Sequence, residues 1–253
     1  MHPSAQSLCG ISGCRSFLSW IGIAHWKNLS EAISSAKPLR WQYFCRMMCG
    51  WASSVRSKTK RLLMHKSDLE HIIRAASAVT NQYEIVVVGS QSILGSVDAP
   101  PMECLVSMEA DIFVLGHEQL SDLIDGVLGE GSAFHDTFGY YAQGVDSTTS
   151  ILPDGWRERL VRLQSPNTDG KVGYCLDATD LFLAKCVANR EKDREFNLAL
   201  LVHGIVDATV ALSRVESMPI DDDAKKRIAH LIARLSAESE AAPQPARPSS
   251  PKP

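Results

Sequence analysis

The chain has 253 residues, 45% of them hydrophobic, and a formal net charge of −3. That is long enough for one large domain or two small ones, and apolar enough to fill a core. No run approaches the roughly 20 apolar residues that a membrane-spanning helix needs. The longest, "FNLALLVHGIVDATVAL" from Phe196, is interrupted by His203 and Asp207 and reads as a buried helix.

The small net charge hides two unlike parts. Residues 1–63 hold nine Lys/Arg and one acid, Glu31, whereas the remainder holds seventeen basic and twenty-eight acidic residues. The first part also carries four of the five tryptophans and Cys9, Cys14, Cys45 and Cys49, without any sustained helical or strand period. Neither the C-x4-C nor the C-x3-C spacing makes a familiar zinc knuckle. A basic, Ser-rich, acid-poor start has the composition of an organellar transit peptide. A start-site extension that does not belong to the folded unit is the reading we rank first, because a clean amphipathic pattern begins at Met64. The odd total of seven cysteines and the lack of a secretory signal predict a cytoplasmic protein.

From Ser67, "SDLEHIIRAASAV" places Leu69, Ile72, Ile73, Ala76 and Val79 on one helical face. Ser67 and Glu70 have capping-box spacing. "YEIVVVG" is a β-branched run ended by glycine, as a buried strand would be. "QSILGS" reads as a brief helix or turn, "VDAPP" as a loop, and "CLVSMEADIFVL" as a second strand. A helix with Leu120, Leu123, Ile124, Val127 and Leu128 at helical spacing follows. The glycine-rich "GEGSAFHDTFGYYAQGV" predicts a loop leading into a strand at "YYAQGV". "TTSILP" and "RLVRLQ" predict short strands on either side of a "PDGW" turn. After Asp177 the pattern is helical through "ATDLFLAKCVANREKDREF", residues 197–215 and "DDDAKKRIAHLIARLSAESE". The Pro-rich tail "AAPQPARPSSPKP" predicts disorder. The expected organisation is an unassigned segment over 1–63, an α/β domain over 64–176, a helical subdomain over 177–240 and a disordered tail over 241–253.

Glu109 and Asp111 stand two apart in a strand, so their side chains share a face. Paired carboxylates repel, and burying them is costly unless a cation lies between them. Mg²⁺ takes carboxylate, water and phosphate oxygens and would suit such a pair. An exposed strand face is the plainer explanation of the pair by itself. Gly89-Ser90 ends the preceding strand. Glycine there permits close approach of a ligand, and a short helix from Gln91 would offer N–H groups and the Ser90 hydroxyl to phosphate. An ordinary turn is again the plainer reading. The combination of the two parts on neighbouring strands is rarer than either.

The "GS" and "EAD" motifs resemble the signature of the nucleotidyltransferase superfamily related to DNA polymerase β. "GSQSILGS", "EADIFV", "IDGVLGEGSAFHDTFGYYAQGV", "LPDGW" and "DLFLAKCVANREKDREF" resemble a bacterial group of uncharacterised nucleotidyltransferase-like proteins related to AbiEii-type toxins. The likeness covers residues 64–215. It implies an α+β fold, with a polymerase-β-like mixed sheet, flanking helices and a C-terminal helical bundle. It also implies Mg²⁺ or Mn²⁺, NTP as donor, a tRNA or protein acceptor, and a cognate antitoxin as partner.

On this resemblance Gly89 and Ser90 hold the triphosphate, and Glu109 and Asp111 the metal. Lys185, Arg190, Lys192 and Asp193 match a second block, in which Lys185 neutralises charge and Asp193 orients the lysine or the acceptor. Asp146 is the candidate third carboxylate, a metal ligand that prepares the acceptor hydroxyl; a turn residue is its plainer reading. The chain departs from the pattern in two places. Eighteen residues separate Ser90 from Glu109, so "VDAPPM" must loop out, and the first acid is Glu where Asp is commoner.

His135, Tyr140 and Tyr141 could stack on a base or contact ribose, with packing as the alternative. Cys104, Cys175 and Cys186 sit in apolar runs as small core residues. The acidic body argues against broad nucleic-acid affinity, so RNA would need a local basic patch, for which Arg157, Arg159 and Arg162 are the candidates. A nucleotide- or RNA-binding module of the same fold without turnover is the competing function.

Overall fold

The computed structural model describes residues 63–242; Cys9, Cys14, Cys45, Cys49 and the Pro-rich tail from Pro243 lie outside them, whereas Ala241, expected in the disordered tail, ends a helix. Helix α1 spans Lys66–Thr80 and buries Leu69, Ile72, Ile73 and Ala76 completely, with Val79 packed at the margin. Its reciprocal cap lies two residues earlier than the sequence suggests. The Asp68 carboxylate accepts from the His65 N–H at 3.0 Å, while Glu70 turns away to accept from Asn167 Nδ2.

Strand β1 (Glu84–Val88) follows, then a 3-10 turn at Ser90–Ser92 and a four-residue helix α2 (Ile93–Ser96). A 3-10 turn at Met102–Cys104 leads to β2 (Glu109–Phe113). The long gap between Ser90 and Glu109 therefore folds away as expected. Ile93, Leu94 and Cys104 anchor it in the core, and Gln91 Nε2 donates to the Ser107 carbonyl at 3.0 Å, tying its two ends together.

Helix α3 (Ser121–Leu128) buries Ile124 and Leu128 but leaves Leu123 and Val127 exposed. The Gly-rich stretch is not only a loop. It holds helix α4 (Ala133–Phe138), started by Ser132 accepting from the His135 N–H and ended by Gly139 in the left-handed region. Strand β3 (Tyr141–Gly144) comes next. "TTSILP" forms no strand, and the "RLVRLQ" strand is β4 (Val161–Leu163). A fifth strand, β5 (Val172–Cys175), was not expected; Gly173 hides its apolar alternation. A Cβ at Gly173 would stand 2.4 Å from Ile73 Cδ1, so the missing side chain is what lets α1 pack on the sheet.

The sheet order is β3-β2-β1-β5-β4. β1 runs antiparallel to β2 and parallel to β5, β2 parallel to β3, and β4 antiparallel to β5. This is the expected mixed α+β sheet. Register assigns the faces, since directly paired residues point the same way. Ala110, Ile112, Ile85, Val87, Ala142 and Cys175 form the side towards α1, α2 and α3. Glu109, Asp111, Val88, Tyr141 and Gln143 form the other.

The helical part is divided differently from the sequence pattern. Helix α5 (Ala178–Ala188) stops at Asn189, whose φ of 47° is left-handed, and α6 spans Glu191–Val202. Helix α7 (Ala208–Val215) and α8 (Asp222–Ala241) follow. One hydrophobic core runs from Met64 through Leu235 and joins these helices to the sheet. Arg159 serves this packing, bonding the fully buried Asp180 at 2.8 Å, and Arg157 lies over the Trp156 ring. The basic patch expected at Arg157, Arg159 and Arg162 is thus partly committed to the fold. Among the described residues no helix is long and apolar enough to cross a membrane.

Candidate active site

A cleft of about 450 Å³ opens on the second face of the sheet, between the ends of β1 and β2 and helix α5. Gly89, Ser90, Glu109, Asp111 and Lys185 all line it, with Arg190, Lys192 and Gln143. Five residues singled out across almost a hundred positions of sequence meet there.

Gly89 has φ +64°, a conformation open to glycine and resisted by side chains. A Cβ there would stand 1.9 Å from Asp111 Oδ2. The bare backbone makes room for the neighbouring carboxylate. Gly89→Ala is therefore expected to displace Asp111 and to lower stability by roughly 2 kcal/mol or more. Thermal unfolding together with divalent-cation titration checks this, both midpoint and affinity falling.

Asp111 pairs in register with Val88 on one side and Gln143 on the other. Burial, the charge of Glu109 and a hydrogen bond shared with Glu109 push its pKa up to about 7. Glu109 also accepts from the Tyr141 hydroxyl at 3.1 Å. The Tyr141 pKa is raised to about 12, by burial first and then by Glu109. The charges of Lys185 and Lys192 pull the Asp111 pKa back down but do not cancel the rise.

Lys185 supplies charge from the facing wall. Its Nζ donates to Ser90 Oγ and to Asp193 Oδ1, both at 2.9 Å, and stands 4.2 Å from the Phe196 ring centroid. Burial pulls the lysine pKa down, against the opposing pull of Asp193. Burial also disfavours the Asp193 charge, but the bonds from Arg190 and Lys185 outweigh it and hold that pKa below the usual carboxylate value. Asp193 is fully buried and accepts from the Arg190 N–H as well, so it starts helix α6 while it aims the lysine. It faces Lys185 and does not line the cleft.

Asp146 is placed apart from the pair. It is exposed, accepts from the Thr148 N–H at 2.7 Å and from the Thr148 hydroxyl, and is held below the usual carboxylate pKa by those bonds. Its neighbours Val145 and Thr149 line the cleft, whereas Asp146 does not. Gln143 occupies the sheet position beside Asp111 instead, and strand alternation from Tyr141 was the signal that could have found it. The Tyr141 and His135 rings meet at a tilt of 48° with centroids 4.8 Å apart at the Glu109 end. Tyr140 is buried and bonds His71 Nδ1 at 2.8 Å, which makes it a core residue. Cys104, Cys175 and Cys186 are buried free thiols, each pushed up to about 12 chiefly by burial.

Among the described residues no group of three His, Cys, Asp or Glu side chains gathers at metal-holding distance. Two carboxylates and an amide oxygen are hard donors. They suit Mg²⁺ or Mn²⁺, which keep water and take substrate phosphate oxygens for their remaining positions.

A mixed sheet carrying Gly-Ser at the end of one strand and Glu-x-Asp on its neighbour, with a lysine opposite, is a nucleotidyltransferase-like arrangement. Residues 61–233 match the family described as "Nucleotidyltransferase of unknown function (DUF6036)", and the chain belongs to that family. A search of the curated proteins finds no match, and a search of the solved structures finds none either.

Proposed function

We propose that the protein is a Mg²⁺-dependent nucleotidyltransferase that moves a nucleotide from an NTP to an RNA or protein acceptor. The observation that carries this is the convergence of Ser90, Asp111 and Lys185 on one cleft, with Lys185 bonded to Ser90. Glu109 and Asp111 would hold the metal, with Gln143 beside them. When bound, it would supply positive charge to the triphosphate oxygens. Lys185, Arg190 and Lys192 neutralise charge on the departing side.

The acceptor hydroxyl oxygen bonds to the α-phosphorus as the bond from that phosphorus to the α,β-bridging oxygen breaks. Pyrophosphate leaves with the bonding electron pair, and the hydroxyl proton passes to the carboxylate pair. Gln143, beside Asp111, positions the acceptor. A toxin role with a cognate antitoxin rests on the sequence resemblance to AbiEii-type toxins. A reducing, cytoplasmic setting is supported by the three free thiols.

One observation favours a second reading, a nucleotide- or RNA-binding module without turnover: Gln143 stands where a third carboxylate would complete a two-metal site.

The test is incubation of the full chain with each α-labelled NTP, Mg²⁺ and total tRNA or total protein. Label transfer is expected, reduced tenfold or more in Gln143→Ala and changed less than twofold in Asp146→Asn. Transfer that survives Asp111→Ala sinks the metal assignment. Saturable NTP binding without transfer to any acceptor establishes the module.

A further inference from the structure

The cleft is continued by a second groove. Val187 of α5 lines both, and Asn189 of the second groove sits between Ala188 and Arg190 of the first. The second groove, of about 630 Å³, is walled by Ile220, Leu231 and one face of α8. Arg227, His230 and Arg234 stand on that face at spacings of three and four, so they share one side of the helix over two turns.

No carboxylate lines this groove, although the chain beyond residue 63 carries eleven more acids than bases. Arg227 and Arg234 are exposed and make no ion pair among the described residues. The acids best placed to neutralise them are taken: Asp223 pairs with Lys226, and Glu238 with Arg194. Exposed Lys192 lies in the cleft, also without an ion pair, and continues the run of positive charge towards Asp111. A basic track that runs along this groove and into the cleft of an acidic body, ending at a carboxylate pair, matches a polyanion that reaches the cleft by one end.

We infer that this groove binds the sugar–phosphate backbone of an RNA acceptor strand, delivering a ribose hydroxyl to the Asp111 end of the cleft. The inference rests on the nucleotidyl-transfer reading and chooses between its two acceptor classes. Phosphates lie along Arg227, His230 and Arg234, and the apolar walls at Ile220 and Leu231 receive sugar or base faces. The NTP keeps Ser90, Lys185 and Arg190.

The test compares the full-length wild type with the double variant R227S/R234S. Fluorescence anisotropy of a labelled single-stranded RNA is measured across a salt series, and NTP binding and circular dichroism are recorded in parallel. Both arginines are exposed, so folding and NTP affinity should be unchanged. RNA affinity should fall about tenfold, and the slope of log Kd against log salt should become shallower by about 1.4. Arg162→Ser, an exposed charge on β4, should leave both within twofold. The basic residues of 1–62 are identical in every variant, so their contribution cancels.

RNA affinity and salt slope unchanged in the double variant overturn the proposal. So does loss of label transfer to protein with RNA binding intact, since the groove then holds a polypeptide. If RNA binding needs both arginines while no NTP transfer occurs, the groove stands as an RNA site and only the transfer reading fails.

Discussion

Asp111→Asn is expected to abolish nucleotidyl transfer and, at pH 8 without divalent cations, to make the protein more stable. Both effects come from one cause. The folded Asp111 holds its proton to about pH 7, because burial and Glu109 penalise its charge. An unfolded aspartate loses the proton near pH 3.9. Between those values the folded state binds more protons, so the contribution of Asp111 to stability is fully present in acid and lost as pH rises through 7. Asparagine has nearly the same shape and no charge to desolvate. It should recover up to about 4 kcal/mol at pH 8, and the difference should vanish towards pH 4. Mg²⁺ should stabilise the wild type at pH 8 and leave the variant unmoved. Chemical unfolding at both pH values, with and without Mg²⁺, checks the signs. A variant that is less stable at pH 8 would show that the carboxylate is already compensated within the fold.

Lys185→Ala is expected to lower transfer by about 10²- to 10³-fold, the usual loss when one preorganised donor is removed from a developing charge. It also strands Asp193, which would keep only the bonds from Arg190, a side chain 61% exposed at the surface. Removing one partner of a buried ion pair costs about 3 kcal/mol. Lys185→Met separates the two consequences by keeping the stem packed on Phe196. It should lose as much transfer as alanine while unfolding at a higher temperature. A single-turnover rate for Lys185→Met within threefold of wild type would leave the lysine a purely structural role.

Much of this site was legible in the sequence because strands impose a simple rule. Two-residue alternation puts Glu109 and Asp111 on one face, and a β-branched run ended by Gly-Ser marks the neighbouring turn. Lys185 stood out as a charge within an apolar helix. The features that were missed depend on pairing between distant segments. Gln143 lies beside Asp111 only because β3 pairs with β2 in parallel at that register. β5 was overlooked because Gly173 owes its missing side chain to Ile73, a hundred residues earlier. The helix break after Ala188 was invisible because Asn189 tolerates the left-handed region without the glycine or proline that usually flags an end. α4 was hidden in a stretch whose glycines suggested a loop, although Ser132 and Gly139 are its start and stop.

Asp193 and Asp111 carry opposite information for anyone reading related chains. Asp193 closes the first turn of α6 and neutralises a buried lysine, so a sequence drifting without selection for catalysis would still tend to keep it. Its presence in a relative is therefore weak testimony that the relative turns over substrate. Asp111 weakens the fold increasingly as the pH rises above about 4 with no cation bound, so drift should replace it first. On the proposed function, a relative that retains the aspartate beside a left-handed glycine is expected to bind a divalent cation there.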